Sequence, residues 1–241
     1  MTPKNWGWSP LRMFFYGVVS RHMPALAPKI SLDIHGLIAE VARHRPLFHS
    51  EADFQHAFAW EVHRQFPDAS VRLEKPISIA NGVAHLDVLV QRGDAMAAVE
   101  LKYKTRKLSF ETSSETFSLR NHSAQDVGRY DFIKDISRLE DITASYPGAL
   151  GYAVLLTNES AYWRGPSAIT TVDAAFRLHE GKVLEGAVAW GEGASAGTMK
   201  AREKPICLRG SYPLRWQDYS SISVGNGSVF RYLLVAVEND G

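Results

Sequence analysis

Residues 84–104 read AHLDVLVQRGDAMAAVELKYK, and the alternation inside this stretch sets the fold around it. Residues 84–91 alternate strictly, with Leu86, Val88 and Val90 expected on one face and His85, Asp87 and Leu89 on the other. Residues 97–104 alternate as well, Val99, Leu101 and Tyr103 against Glu100, Lys102 and Lys104. A period of two is the signature of β-strands. Between the two runs stands Gly93-Asp94, a glycine-first dipeptide suited to a two-residue type II′ turn. In a hairpin closed there, facing residues have numbers summing to 187, which sets Asp87 opposite Glu100 and His85 opposite Lys102. Facing side chains share one side of a sheet, with Cβ atoms about 5 Å apart.

Working outward, residues 71–79 form a further strand pattern before the hairpin. Ahead of it lie two helical patterns, 32–43 and 50–66, the second opened by Ser50 with Asp53 three residues on, a capping-box arrangement. Behind it, the polar residues 105–123 read as a long loop, of the kind that is functional or disordered in compact domains. Residues 124–145 then predict a helix with Val127, Tyr130, Ile133, Ile136 and Leu139 in one stripe, and 149–156 predict a buried apolar strand. Beyond residue 158 the expectations are a hairpin over 176–190 turning at Glu180-Gly181, a loop over 191–204, and strands at 206–208, 222–224 and 230–237. The fold class is therefore α/β, with a mixed central sheet flanked by helices in the order helix, three strands, helix, strand. Three divisions follow: an aromatic N-terminal extension over 1–30, an α/β core over 31–157, and a mostly β C-terminal part over 158–241 expected to pack on the same domain.

Two carboxylates and an ammonium on one sheet face call for an explanation. Close carboxylates repel unless a positive charge lies between them, and a hard divalent cation takes that place well. Magnesium accepts one or two carboxylates, keeps several waters and binds phosphate oxygen. Lys102, one pleat from Glu100, could then orient or help deprotonate an attacking water, or stabilise developing charge. The same pattern also fits a solvated sheet face laced with salt bridges.

Asp87 followed by Glu100-Leu101-Lys102 across a short hairpin resembles the D…E-x-K signature of the PD-(D/E)XK nucleases, and the element order resembles the restriction-endonuclease-like core of that superfamily. The match covers residues 50–157, and Leu86 stands where the signature has proline. The resemblance implies a metal-dependent nuclease acting on DNA, with Mg²⁺, or Mn²⁺ in its place, held by Asp87, Glu100 and the Leu101 carbonyl. It also implies a glutamate from the first helix of the core, for which Glu51 is preferred over Glu61. Gln125 followed by Tyr130 resembles the glutamine-and-tyrosine helix motif of RecB-like nucleases, with one residue more between them. Lys104, Arg106 and Arg129 are the candidate substrate contacts, with Lys107 beside them and Arg120, Asn121 and His122 near the end of the 105–123 loop. Asp131, Lys134, Asp135 and Arg138 read instead as an exposed helix face of i,i+3 and i,i+4 pairs. Arg209, Tyr212, Arg215, Trp216 and Tyr219 interleave cations with rings, a pattern for stacking on bases, although such rings more often belong to a core. The alternative function is a catalytically weak or inactive nuclease-fold protein that binds nucleic acid or protein.

The rest of the composition is neutral. Lysine and arginine number 27 against 26 aspartate and glutamate, so the overall field does not select nucleic acid and any binding rests on local patches. One cysteine excludes an intrachain disulfide and a cysteine-rich zinc site, and cytoplasmic residence is the simple expectation. The apolar run Met13 to Val19 is interrupted by charge on both sides, against a signal peptide, and no stretch reaches the ~20 residues of a membrane span. Cutting both strands of a duplex needs two such sites, and a homodimer is the expectation that follows.

Overall fold

A computed structural model describes residues 32–80, 82–165, 171–222, 225 and 227–239. The expected N-terminal extension lies outside the described residues, as do positions 223 and 224 of the strand expected at 222–224. The chain is mixed α/β. Helices α1 (Ile34–His44) and α2 (Glu51–Gln65) precede strands β1 (Ser70–Ile79), β2 (Gly82–Arg92) and β3 (Ala95–Lys104). Strands β4 (Leu108–Glu111) and β5 (Thr116–Leu119) lead to helix α3 (Gln125–Ser145) and strand β6 (Leu150–Thr157). After a single 3₁₀ turn come β7 (Val183–Val188), the four-residue helix α4 (Ala196–Met199), β8 (Ile206–Pro213), β9 (Trp216–Ser221) and β10 (Val229–Val237).

Six strands form the central sheet in the order β1-β2-β3-β6-β10-β9. Strands β3 and β6 run parallel, from Ala97 beside Leu150 to Lys104 beside Thr157, while the other neighbours are antiparallel. A parallel pair needs a crossover, and α3 supplies it. Every residue of β6 is buried, which is why this central strand reads as an unbroken apolar run. The C-terminal strands β10 and β9 extend the same sheet.

Each face of the sheet has its own core. Helices α1 and α2 cover one side through Leu37, Ile38, Phe54, Phe58 and Val62, against Val99, Leu101 and Val154. Helix α3 covers the other through Phe132, Ile133, Ile136 and Leu139, against Ala98, Ala153 and Leu155. Ser50 caps α2 by accepting from the Asp53 N–H at 3.1 Å. The Asp53 carboxylate answers one residue further back than a standard capping box, on the N–H of His49 at 3.0 Å. Gly128 lies in α3 directly against the buried Tyr162 hydroxyl, leaving no room for a Cβ. Gly128→Ala is expected to destabilise the protein by about 1–3 kcal/mol through overpacking, against a small gain in helix propensity. A melting temperature equal to or above wild type would contradict this packing.

Several expectations are corrected. Residues 105–123 contain the β4–β5 hairpin, not a structureless loop, because Phe117 and Leu119 bury themselves in the α1–α2 core. No hairpin spans 176–190: Gly181 does turn the chain, but β7 pairs with β8. The 191–204 loop contains α4. The C-terminal rings, by contrast, follow the more frequent expectation of packing: Trp216 and Tyr219 are buried, and the Tyr212 hydroxyl donates to Glu140 at 2.8 Å. Among the described residues no helix is long and apolar enough to cross a membrane.

Candidate active site

The β2–β3 hairpin closes as its sequence requires. Arg92 pairs with Ala95 across the two-residue turn Gly93-Asp94. Gly93 has φ of 58° and Asp94 does not share a positive φ, the combination of a type II′ turn. The register follows the sum of 187 as far as Val88 beside Val99. There the ladder stops. At the next step the Asp87 carboxylate accepts from the backbone N–H of Leu101 at 2.7 Å. A side chain thus takes over where main-chain pairing between the two strands ends.

A second irregularity lies one strand away, at the same level. Glu74, on β1 opposite Asp87, has φ of 50°, in the left-handed region that a side chain seldom adopts. Both strands roll over at this level. Leu73 packs against the α1–α2 core and Ile77 against the α3 core, while Val88 belongs to the first and Leu86 to the second. Leu86 and Val88 therefore do not share a face, which corrects the expected alternation. Gln55 of α2 stabilises the irregularity, its Nε2 donating to the Asp87 carbonyl at 2.7 Å and to Glu74 Oε1 at 2.9 Å.

Asp87, Glu100 and Lys102 come together on the α3 side of the sheet. Lys102 Nζ lies 3.9 Å from Asp87 Oδ2 and 3.0 Å from Asp135 Oδ2 of α3. Glu100, 1% exposed, faces Arg138 of α3, whose Nη2 stands 2.7 Å from Glu100 Oε2 and also 2.7 Å from Asp135 Oδ1. Five ionisable groups are thus packed together. Glu100 Oε2 and Asp135 Oδ2 sit within ion-pair range of these cations, yet each lacks a well-directed hydrogen bond. Asp135 and Arg138 are corrected from exposed helix positions to members of this cluster: facing Glu100 and Lys102 draws them inward. Asp131 instead pairs with Arg202 at 2.9 Å.

Electrostatics follow from the packing. Burial pushes the Asp87 carboxyl up, opposed by the Lys102 ammonium and the Leu101 N–H. Burial, then the neighbouring Asp135, push Glu100 up to about 8, with Arg138 opposing. Asp135 also rises through burial. For Lys102, burial pulls downward, but Asp135 and Asp87 outweigh it and hold the ammonium above the ordinary lysine range.

The remaining candidates divide. Glu51, in the first turn of α2, accepts from the Tyr103 N–H at 2.8 Å and lies 3.4 Å from Lys104 Nζ, so it borders the cluster at the end of β3. Glu61 is committed elsewhere, held by Arg64 at 2.8 Å and Gln65 at 2.6 Å. Gln125 opens α3 ten residues before Asp135, about 15 Å along the axis from the cluster. Arg129 is corrected as a substrate contact: it is buried, paired with Asp173 at 2.6 Å and donating to the Ala161 carbonyl at 2.8 Å. Arg106 is half-buried just past β3, its backbone N–H donating to Asn158 at 2.7 Å. His85 is exposed and lies beside Pro76 in the β1–β2 pair, and the β2–β3 ladder ends before it can face Lys102.

No protein-family model, curated protein or solved structure matches this chain. The site is therefore read from its own chemistry. Among the described residues, no three His, Cys, Asp or Glu side chains gather as a ready metal cage. The available hard donors are the carboxylates of Asp87 and Glu100 and the Leu101 carbonyl, whose contact with Lys102 Nζ is long at 3.4 Å. Sequence reasoning missed Asp135, Arg138, Gln55 and Glu74 as parts of the site. For the first two a signal existed: both fall on the α3 stripe of Ile136 and Leu139 closely enough to be drawn beneath the helix. For Glu74, nothing in the local sequence announces a positive φ.

Proposed function

We propose that this chain is a metal-dependent nuclease that hydrolyses phosphodiester bonds in nucleic acid. The polymer is expected to be DNA from the resemblance to PD-(D/E)XK enzymes. One observation carries the reading: Asp87, Glu100 and Lys102 converge where the β2–β3 ladder ends and main-chain pairing no longer closes the gap. The donor set suits magnesium, which needs only one or two carboxylates and accepts a carbonyl and waters for the rest. The buried Glu100 Oε2, without a directed hydrogen bond, is the kind of oxygen that a cation would satisfy. When bound, such a cation would acidify a water and polarise the scissile phosphate.

The protein groups take complementary parts. Asp87 and Glu100 hold the cation, and the Leu101 N–H fixes the orientation of Asp87. The carboxylates of Asp135 and Asp87 favour the Lys102 ammonium, which orients the water and stabilises charge on the phosphate. Glu51 orients the end of β3 through the Tyr103 N–H.

A second reading keeps a specific point in its favour. Arg138 and Lys102 already counter the buried carboxylates, so the cluster is partly satisfied without a metal. Such a site would suit a nuclease-like fold that binds nucleic acid or protein and does not cut. One assay separates the two: linear, circular and single-stranded DNA and RNA incubated with Mg²⁺ or Mn²⁺, and with chelator, from pH 6 to 8. Cleavage is expected only with metal. It should rise with pH across this range, because Glu100 must lose a proton held up to about 8 before it can bind a cation. Binding without cleavage of any polymer would support the module and end the nuclease reading.

A further inference from the structure

A polar cleft of about 650 Å³ opens beside the cluster, and His49, Ser50, Glu51, Lys104, Arg120 and His122 are among its walls. Its floor is the end of β3. Lys104 lies two residues beyond Lys102, about 7 Å further along the strand, and Glu51 borders both the cleft and the cluster.

The far wall is built, not incidental. Past β5 the chain is pinned to β3 by Thr105, whose hydroxyl donates to the Arg120 carbonyl at 2.6 Å and whose carbonyl accepts from the His122 N–H at 2.7 Å. The Thr105 N–H in turn donates to His122 Nδ1 at 2.9 Å. A main-chain N–H cannot accept, so Nδ1 of the neutral ring is the acceptor and the proton sits on Nε2. Burial, then Lys104, lower the His122 pKa and keep this neutral form dominant. His122, one of the residues lining the cleft, thus carries a fixed Nε2–H donor. The hairpin is latched to the opposite wall as well: His49 stacks on Phe117 with centroids 4.5 Å apart and bonds Glu115 at 2.8 Å. Arg120 is exposed, and among the described residues its guanidinium makes no ion pair.

We infer that this cleft is a phosphate subsite for the substrate strand next to the scissile bond, with Arg120, the His122 Nε2–H and Lys104 contacting a non-reacting phosphodiester. The inference rests on the nuclease reading and adds to it the element that grips the strand: the β4–β5 hairpin and the turn that follows it. Its ligand is an internal phosphodiester of a polynucleotide. Three donors of this kind suit phosphate oxygen, and a cleft open to solvent can admit a continuous chain.

The test measures binding of a fluorescent 20-nucleotide single strand in EDTA, which blocks cleavage, over a series of salt concentrations. Arg120→Ala is expected to bind about tenfold more weakly at 0.1 M salt, and its slope of log K against log salt should be shallower by about 0.7. His122→Asn keeps an acceptor for the Thr105 N–H while removing the outward donor. It should weaken binding several-fold with an unchanged salt slope and an unchanged melting temperature. Arg92→Ala, at the opposite end of β2 where Arg92 pairs with Asp68, should bind as wild type. If wild type cleaves but both cleft variants bind as it does, or if Arg92→Ala is weakened as much as Arg120→Ala, the cleft assignment falls and the nuclease reading stands. If wild type neither binds nor cleaves any polymer, both fall.

Discussion

Lys102→Met is expected to reduce metal-dependent cleavage by about 10²–10³-fold while leaving cation binding intact. The magnitude is that of removing one preorganised charge from a site where charge develops on phosphate. Methionine keeps most of the length and apolar surface of the lysine stem but removes the ammonium that stands 3.0 Å from Asp135 and 3.9 Å from Asp87. Because the ammonium is held protonated, its loss is a loss of charge stabilisation and not of a base. The fall in rate should therefore be nearly independent of pH between 6 and 8. A rate loss that disappears at high pH would instead identify Lys102 as a proton acceptor. Asp135 is left without its ammonium in this variant, so Lys102→Met with Asp135→Asn serves as the companion that relieves the buried charge. If both variants fold, bind Mn²⁺ and still cleave at the wild-type rate, Lys102 has no part in the reaction.

The second large effect concerns Arg138. Its guanidinium is the cation nearest both Glu100 and Asp135, each of them almost fully buried. Arg138→Met should destabilise the metal-free protein by about 3 kcal/mol at pH 8, since removing one partner of a buried pair leaves the other charge uncompensated. For a chain of this length that is a drop of roughly 6–12 °C in melting temperature. The sign of the pH dependence is fixed by Glu100. Its folded pKa is raised above its unfolded value, so the folded state binds more protons and stability falls as pH rises from about 5 to 8. Without Arg138 this loss should steepen. Magnesium should restore much of the stability by taking over the countercharge, and the metal-induced rise in melting temperature should exceed that of wild type. Equal melting temperatures for the two proteins without metal would show that Arg138 is not the countercharge. A normal loss of stability with no recovery in Mg²⁺ or Mn²⁺ would show that the carboxylates do not accept a divalent ion.

Much of the candidate site is legible in the amino-acid sequence. The turn at Gly93-Asp94 sets the β2–β3 register, because a two-residue loop leaves the strands one way to pair. From that register alone, Asp87 and Glu100 fall at the same level. Ser50 marked the start of α2 and hence where Glu51 enters. Glu61 differs from Glu51 by its partners: Arg64 and Gln65 sit one turn away and hydrogen-bond its carboxylate. The β4–β5 hairpin was illegible because its strands are four residues each and framed by serine and threonine. Their apolar residues number too few to declare a period, and only the α1–α2 core gives them something to bury against. The β7–β8 pairing was hidden for another reason: its partners are separated by the turn, loop and short helix of residues 189–205, and local sequence does not encode distant pairing.

What the amino-acid order determined is the local geometry: a tight hairpin, its register, the helix that follows, and therefore the approach of two carboxylates and an amine. These depend on periodicity and turn chemistry, which act over a few residues. The tertiary structure decided the electrostatics. Whether Glu100 is a solvated surface acid or a buried carboxyl raised to about 8 depends on α3 closing over the sheet and bringing Asp135 and Arg138 with it. That the β2–β3 ladder ends and the Asp87 carboxylate accepts a main-chain N–H, beside a left-handed Glu74 on another strand, is visible only in the folded chain. Burial and charge are properties of what surrounds a residue, and here those surroundings come from other elements of the chain.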